Sequence, residues 1–121
     1  MKLLPLMAIL CLFAGIVLSG CMSDNKGQGG VPDSDVALRE SLREYNALIA
    51  KDPSNVTAWV KIGTIHQRLK EYEEADDAYD HALELDPNVS IVWAYKGNIQ
   101  HIRGNFTEAL RLYETGIKID P

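Results

Sequence analysis

Cysteine is scarce in this chain, and its placement excludes two ways of stabilising a fold. The 121 residues include only Cys11 and Cys21, both near the N-terminus. Residues 22–121 therefore contain neither a disulfide framework nor a thiolate metal site. Hydrophobic residues make up 46% of the chain and charged residues 24%, as in one ordinary globular domain. This length and composition allow a modest core and no second domain.

Basic residues are also few. Twelve Lys and Arg stand against 17 Asp and Glu, which gives a formal net charge of −5. Because phosphate binding needs clustered Lys and Arg, this balance argues against a nucleic acid partner. Acidic residues are concentrated between Lys70 and Asp86. Two interpretations stay open for them, a solvated outer helix face or a docking surface for a basic partner or divalent ions.

Motifs for catalysis or cofactor binding cannot be identified. The histidines, His66, His81 and His101, belong to no HExxH motif and have no cysteines near them in sequence. There is no Ser-His-Asp arrangement, P-loop or dinucleotide-binding glycine turn. We therefore expect no enzymatic activity, no cofactor and no bound metal. A turnover that is lost on changing His66 or His101 would contradict this prediction.

A long apolar run occurs once, at the N-terminus. Lys2 precedes the apolar residues 3–18, a layout typical of a secretory signal peptide over residues 1–20. The ending Leu18-Ser19-Gly20-Cys21 resembles the lipobox of prokaryotic lipoproteins. That resemblance implies cleavage before Cys21 and a diacylglyceryl group on its sulfur. The alternative is an uncleaved membrane anchor, because about 18 apolar residues is the lower limit for a spanning helix.

Both interpretations predict the same location for the rest of the chain. With the Lys2 end inside, the following residues are exported and attached to a membrane on its extracytoplasmic side. Residues 21–33 are polar and rich in glycine, which is typical of a flexible tether. The folded domain is thus expected to begin near residue 34.

An internal repeat organises that domain. Residues that are separated by the same interval as Trp59 and Trp93 are often identical or similar in type. Six such pairs are Trp59 and Trp93, Gly63 and Gly97, Tyr72 and Phe106, Ala75 and Ala109, Tyr79 and Tyr113, and Pro87 and Pro121. The spacing of Ala75, Tyr79 and Ala82 places them on one helix face. The period and residue types resemble the tetratricopeptide repeat, with Ala82 at a further signature position.

The resemblance implies an all-α fold, a short right-handed α-solenoid of stacked helical hairpins. Five helices are expected, near residues 34–50, 57–69, 71–85, 92–103 and 106–119, or about two and a half repeats. Residues 34–55 supply an N-terminal packing helix, 56–89 the first repeat and 90–121 the second. Asn55 is a candidate N-cap, and Asp-Pro at 52–53, 86–87 and 120–121 should end the outgoing helices.

Three positions of the repeats have unusual residues. Lys96 stands where an apolar residue is expected, so its ammonium reaches water from the core edge or α-helical packing is poorer there. Gly116 replaces the alanine of the first copy and should loosen the last hairpin, since helical glycine costs about 1 kcal/mol relative to alanine. His66 takes a place that is often tyrosine in the family, which indicates a packed histidine. Sequons beginning at Asn55, Asn88 and Asn105 are compatible with glycosylation or with helix starts.

In tetratricopeptide proteins the first helix of each repeat lines a concave groove that receives a peptide or a partner helix. By that resemblance the groove here is lined by Thr57, Val60, Lys61, Thr64, Arg68, Tyr95, Asn98 and His101. The carboxylate-clamp members of the family hold a C-terminal carboxylate with lysines, asparagines and an arginine. Because Asn98 alone fits that set clearly, we do not expect a receptor for a chaperone tail.

The sequence predicts a membrane-anchored scaffold or assembly factor that binds a partner protein or peptide of unknown identity. An alternative stays open, a structural subunit that forms homo-oligomers or packs into a larger envelope complex. The chain stops at Pro121, where a third repeat would begin, and solenoids usually end in a polar capping helix. We therefore expect the outer side of the last helix, including Leu110, Leu112 or Ile117, to be covered by a second copy or a partner.

Overall fold

The computed structural model describes residues 34–121, and this part of the chain contains helices and no strand. The helices are α1 (Asp35–Lys51), α2 (Val56–Arg68), α3 (Tyr72–Leu85), α4 (Ser90–Ile102) and α5 (Phe106–Ile119). The predicted all-α fold of five helices is confirmed. The predicted signal peptide (1–20) and the tether with Cys21 (21–33) lie outside the described residues.

The helix boundaries follow from local chemistry. The side chain of Asn55 accepts a hydrogen bond from the amide of Ala58 at 3.0 Å, so the predicted N-cap of α2 is confirmed. Asp52, Asp86 and Asp120 end α1, α3 and α5 in extended backbone conformations. Each precedes a proline, which disfavours the helical conformation in the residue before it.

The same tight turn joins the two helices of each repeat. Lys70 (φ 61°) and Gly104 (φ 81°) both have left-handed backbone conformations and stand at equivalent positions of the two repeats. Their amides donate to the carbonyls of Gln67 and His101, at 3.0 Å in both repeats. Only glycine adopts this conformation without a steric penalty, which is about 1–2 kcal/mol for other residues. The second repeat therefore has the less strained turn.

The helices pack in chain order, each against the next, and α2 also contacts α4. Two glycines permit close approach within the hairpins. A Cβ atom at Gly63 would collide with the ring of Tyr79, and one at Gly97 would lie 2.7 Å from the ring of Tyr113. The tyrosine of each second helix therefore lies directly over the glycine of the first.

The main apolar core lies between the two repeats. Its buried members come from α3 and α4, and Tyr79, Val92 and Ile99 are completely inaccessible to solvent. Half-buried side chains of these two helices and of the segments next to them pack around it, namely Val60, Tyr72, Val89, Trp93 and Tyr95. The indole nitrogens of Trp59 and Trp93 donate to the carbonyls of Pro53 and Pro87, at 2.8 and 3.0 Å. These bonds attach each repeat to the turn before it.

Gly116 does not loosen the last hairpin, so that prediction was wrong. The residue is buried, and a Cβ atom placed on it would lie 2.9 Å from the carbonyl oxygen of Ser90. Glycine therefore allows α5 to approach the backbone at the start of α4 more closely than alanine would. The loss of helix propensity is accompanied by tighter contact.

Candidate interaction surfaces

The predicted groove residues lie on two neighbouring helices, α2 and α4. Five of these residues have exposed polar side chains, namely Thr57, Lys61, Arg68, Asn98 and His101. Val60, Thr64 and Tyr95 are half-buried. The strip formed by α2 and α4 thus combines exposed polar groups with side chains already engaged in packing, and its role as a groove stays a prediction.

Tyr95 is held in place by the core. Its ring stacks on that of Tyr79, with ring centroids 5.5 Å apart and planes inclined by 25°. The Tyr79 hydroxyl donates to Gln67 Oε1 at 2.9 Å. Burial raises the pKa of Tyr79 to about 12, because the phenolate would lose its hydration. Tyr95 therefore offers a fixed aromatic edge rather than a mobile side chain.

Asn98 and Thr64 occupy equivalent positions and make different hydrogen bonds. Asn98 Oδ1 accepts from the hydroxyl of Tyr113 at 2.6 Å. Thr64 Oγ1 donates to the carbonyl of Val60, one turn back in its own helix, at 2.9 Å. The carboxamide oxygen of Asn98 is thus committed, which leaves its NH₂ as the group suited to a ligand carbonyl or carboxylate.

Lys96 forms a charge cluster that neither expectation described. Its ammonium contacts Asp76 and Asp80 on α3, each at 2.6 Å, and its side chain is only 13% exposed. Burial alone would lower the pKa of Lys96, but the hydrogen bonds that its ammonium donates to the two carboxylates outweigh burial, and the pKa is raised. The side chain is thus mostly covered, and its ammonium lies between two carboxylates that α3 supplies.

A second cluster joins α1 to the turn before α3. Glu71 accepts from Arg39 at 2.8 Å and lies 2.7 Å from His66 Nδ1. Two hydrogen bonds lower the pKa of Glu71, and the bond with His66 has a larger effect than the bond with Arg39. The prediction of a packed histidine is confirmed, since His66 is half-buried. Parts of the acidic run therefore form ion pairs between elements, a role that sequence reasoning missed.

The outer face of α5 is apolar and exposed. Phe106, Leu110 and Ile117 are 63%, 58% and 61% exposed, and Tyr113 beside them is half-buried. We call these four residues the α5 face. The prediction for Leu112 was wrong, because this side chain is buried against the rest of the fold. Leu112 points with Ala109 and Gly116, three and four residues away, towards α4.

Residues 34–121 contain neither a metal-binding cluster nor a membrane-spanning helix. No group of three or more His, Cys, Asp or Glu side chains there is arranged to hold a metal ion. Among the same residues, no helix is long and apolar enough to cross a membrane. His81 stacks on Trp59 with ring centroids 4.5 Å apart, and His101 meets Phe106 edge-on at 5.3 Å.

These features define a class of protein, the solenoids built from helical hairpins with a glycine under a tyrosine. A family model described as the tetratricopeptide repeat matches residues 56–89, and a second tetratricopeptide-repeat model matches residues 78–111. Residues 34–121 form an all-α solenoid of tetratricopeptide repeats.

Curated relatives are much longer than this chain. Hsp70-Hsp90 organizing protein 3 of Arabidopsis thaliana is 28% identical over 89 residues, 68% of this chain and 15% of that protein. Superkiller complex protein 3 of Homo sapiens is 29% identical over 87 residues, 64% of this chain and 6% of that protein. Protein O-mannosyl-transferase TMTC1 of Mus musculus is 35% identical over 85 residues, which are 68% of this chain and 9% of that protein.

Solved structures share the fold. The crystal structure of MamA superposes with a TM-score of 0.66 at 17% identity, covering 69% of this chain and 48% of MamA. The second TPR domain of Spaghetti (RPAP3), bound to an HSP90 peptide, has a TM-score of 0.65 at 24% identity, covering 69% of this chain and 78% of that one. At these identities the similarity concerns the fold.

Proposed function

We propose that the protein is a protein–protein interaction module that binds an extended segment of a partner along α2 and α4. The observation that carries this proposal is the strip of exposed polar side chains on two neighbouring first helices, with Lys61, Asn98 and His101 among them. The RPAP3 domain, which has the same fold, holds an HSP90 peptide. That relative supports a peptide as the class of ligand.

The chemistry of the strip favours a segment with acidic or neutral side chains. Among its eight predicted residues, Lys61 and Arg68 are basic and none is acidic. This contrasts with the net charge of −5 for the whole chain. Complementary charge steers an acidic segment towards such a strip and disfavours a basic one. Asn98 contributes an amide donor, because its oxygen already accepts from Tyr113.

The proposal includes a lipid on Cys21 and a location on the extracytoplasmic side of a membrane, where the protein acts as a scaffold or assembly factor. Its support is the signal-like residues 1–20 and the Leu18-Ser19-Gly20-Cys21 ending. An anchor confines the module to a surface, which raises its effective concentration towards a partner in the same membrane. A low affinity of the groove for the partner is then sufficient to recruit that partner.

A second candidate function is a structural subunit that forms homo-oligomers or packs into a larger envelope complex. The observation that favours it is the exposure of Leu110 and Ile117 on one helix. Monomeric proteins rarely expose contiguous apolar patches without an interaction that uses them. This function needs the α5 face rather than the strip on α2 and α4, so substitutions separate the two.

An affinity purification of the full-length protein from its native membrane tests the groove. Lys61→Glu and Asn98→Ala are compared with Lys118→Glu, a matched change of an exposed lysine on α5. A companion lost with both strip variants and kept with Lys118→Glu supports the proposal. A companion kept by all three variants argues against the groove. Mass spectrometry of the protein, with Cys21→Ala as the control, tests whether Cys21 carries a lipid. An unmodified Cys21 would argue against the lipid anchor.

A further inference from the structure

Three Asn-X-Ser/Thr sequons begin at Asn55, Asn88 and Asn105. Each is compatible with a glycan acceptor or with a residue that starts a helix. The two roles differ in the structure, because a helix-starting asparagine uses its side chain in hydrogen bonds within the fold. The sequons also stand at different positions of the repeat, since the counterparts of Asn55 and Asn88 are Val89 and Ser54. The repeat itself therefore does not account for them, and each needs its own explanation.

Two of the three asparagines have structural roles. The carboxamide oxygen of Asn55 caps α2, and the residue is half-buried. Asn105 Nδ2 donates to Gln100 Oε1 at 3.0 Å across the turn between α4 and α5. The corresponding pair of the first repeat is Glu71 and His66, in which the carboxylate lies 2.7 Å from Nδ1. Asn105 therefore closes the second turn in the way that Glu71 closes the first.

The turn that contains Asn88 uses the backbone of this residue. The Asn88 amide donates to Asp86 Oδ1 at 2.9 Å, and in the equivalent turn before α2 the Ser54 amide donates to Asp52 Oδ1 at 3.1 Å. Because an aspartate side chain can accept from the amide two residues on, the turn forms with serine as well as with asparagine. The first turn of α4 has no side-chain cap. The fold thus does not require an asparagine at residue 88, whose side chain is exposed.

We propose that Asn88 carries an N-linked glycan, which is attached as the chain is exported. This rests on the proposed extracytoplasmic location, because sequons are glycosylated on exported chains. The sugar donor is an oligosaccharide on a polyprenyl phosphate or diphosphate carrier. A bond forms between Asn88 Nδ2 and C1 of the first sugar, while the bond from C1 to the phosphate oxygen breaks. The phosphate leaves with the electron pair, and one amide proton passes to a base of the transferase.

The position of Asn88 in the fold leaves room for a bulky group. Arg39, near the start of α1, bonds to Glu71 in the turn before α3 at 2.8 Å. Asn88 follows the other end of α3, whose 14 residues span about 20 Å. Asn88 therefore lies at the opposite end of the helices from Ser34, at which the chain continues towards Cys21. The glycan extends from the end of the domain that is not linked to the membrane.

Trypsin separates the three sequons, so one digest tests them independently. Cleavage after Lys and Arg places them, in chain order, in residues 52–61, 71–96 and 104–111. The full-length protein is purified in detergent from its native membrane, and its tryptic peptides are weighed by mass spectrometry. We expect the mass of one or more sugar units to be added to peptide 71–96, and the other two peptides to have their unmodified masses.

Substitutions at residue 90 distinguish a sequon-dependent glycan from any other modification of Asn88. Ser90→Ala keeps the asparagine and destroys the sequon, so the added mass should be lost. Ser90→Thr preserves a sequon and should retain the added mass. Thr107→Ala is the matched control, because it destroys the third sequon in the same way and should leave peptide 71–96 glycosylated. All three variants should retain the helical circular dichroism spectrum, since Ser90 is half-buried and Thr107 is exposed.

Two results would overturn the proposal, namely an unmodified peptide 71–96 and an added mass that persists in Ser90→Ala. The state of Cys21 in the same sample shows whether the proposed location fails as well. If Cys21 carries a lipid and Asn88 carries no sugar, the glycan is rejected and the membrane location stands. If neither residue is modified, the glycan is rejected and the location loses its support too.

Discussion

The two repeats have nearly the same internal geometry and very different surroundings. Both place a tyrosine over a glycine, and both tie a tryptophan to the carbonyl of a preceding proline. The first repeat lies between α1 and α4, so Tyr79 is fully buried. The second has α5 exposed, and its Tyr113 is half-buried. Equivalent residues therefore contribute differently to stability, because burial depends on the neighbouring repeat.

The charges across the repeats follow the same lesson. Arg39 on α1 and Glu73 on α3 are one period apart and opposite in sign. Arg39 pairs with Glu71, whereas Glu73 pairs with Arg103 at 3.1 Å. An ion pair therefore occurs in both places, but the repeat position that is basic in the first pair is acidic in the second. The packing geometry of the hairpins therefore recurs in each repeat, whereas the sign of the charge at a given repeat position differs with the residue that pairs with it.

Removing the two tyrosine rings should produce the largest difference. Tyr79→Ala is expected to lower the free energy of unfolding by about 3–5 kcal/mol, as for other large aromatic truncations in cores. Tyr113→Ala should cost about 1–2 kcal/mol, since much of its ring already contacts water. Urea denaturation followed by circular dichroism measures both. Equal losses would mean that the α5 side is covered in solution.

Filling the space under each ring tests the same comparison with a smaller change. Gly63→Ala should destabilise the protein by about 1–3 kcal/mol, because the fully buried Tyr79 ring cannot move aside. At Gly97 the Tyr113 ring can shift towards solvent, and alanine gains about 1 kcal/mol of helix propensity. We expect a net change near zero for Gly97→Ala in the same urea experiment. A larger loss at Gly97 than at Gly63 would contradict the comparison.

The charge cluster at the inner junction should contribute less than the rings. Lys96→Ala removes the ammonium that Asp76 and Asp80 share, while Arg103 still lies 3.8 Å from Asp76. We expect a loss of about 1–2 kcal/mol, between the values for exposed and buried ion pairs. Arg111→Ala, which breaks an exposed pair with Glu108, is the control and should have little effect.

Alkaline pH provides an independent check on Lys96. Because its pKa is raised from the ordinary 10.5, its stabilising contribution is present below that value. It should be lost only as pH rises through the raised pKa. The destabilisation by Lys96→Ala should therefore be constant between neutral pH and about pH 10. A loss that disappears within this range would show that the ammonium is not held as described.

The smallest effect is expected on the acid side, at the junction of α1. The pKa of Glu71 lies below its ordinary value of 4.5, so its contribution is present above that value. It is lost as pH falls through the lowered pKa. Glu71→Gln should flatten the fall in urea midpoint between about pH 5 and pH 3. An acid-side fall that is equally steep with and without Glu71→Gln would contradict this assignment.

Much of the fold could be predicted because the signals repeat. Glycine, alanine and tyrosine that recur once per repeat predict the hairpins, and Asp-Pro pairs predict the helix ends. The error at Leu112 has a local cause. Leu112 and Leu110 are two residues apart and so lie on nearly opposite sides of α5. The spacing from Ala109 to Gly116 could have placed Leu112 on the buried side, since Ala78 of the first repeat is its buried counterpart.

The candidate surfaces were less predictable, because they depend on contacts between elements. The stacking of Tyr95 on Tyr79 and the engagement of Asn98 by Tyr113 join residues on different helices, far apart in the chain. The sequence placed Tyr95 and Asn98 on the strip without indicating which of their groups were already engaged in contacts. The pairing of Lys96 with two aspartates needed the relative position of α3 and α4 as well.

The sequence by itself determined the helical class, the repeat length and the residues at each hairpin interface, because these depend on side-chain size and spacing within one chain segment. Only the tertiary structure decided which charges pair, whether Gly116 loosens or tightens its hairpin, and which apolar residues of α5 meet water. Those outcomes depend on distances of a few ångströms between separate helices. Ion pairing and burial change steeply over such distances, whereas the periodic pattern of residues does not change at all.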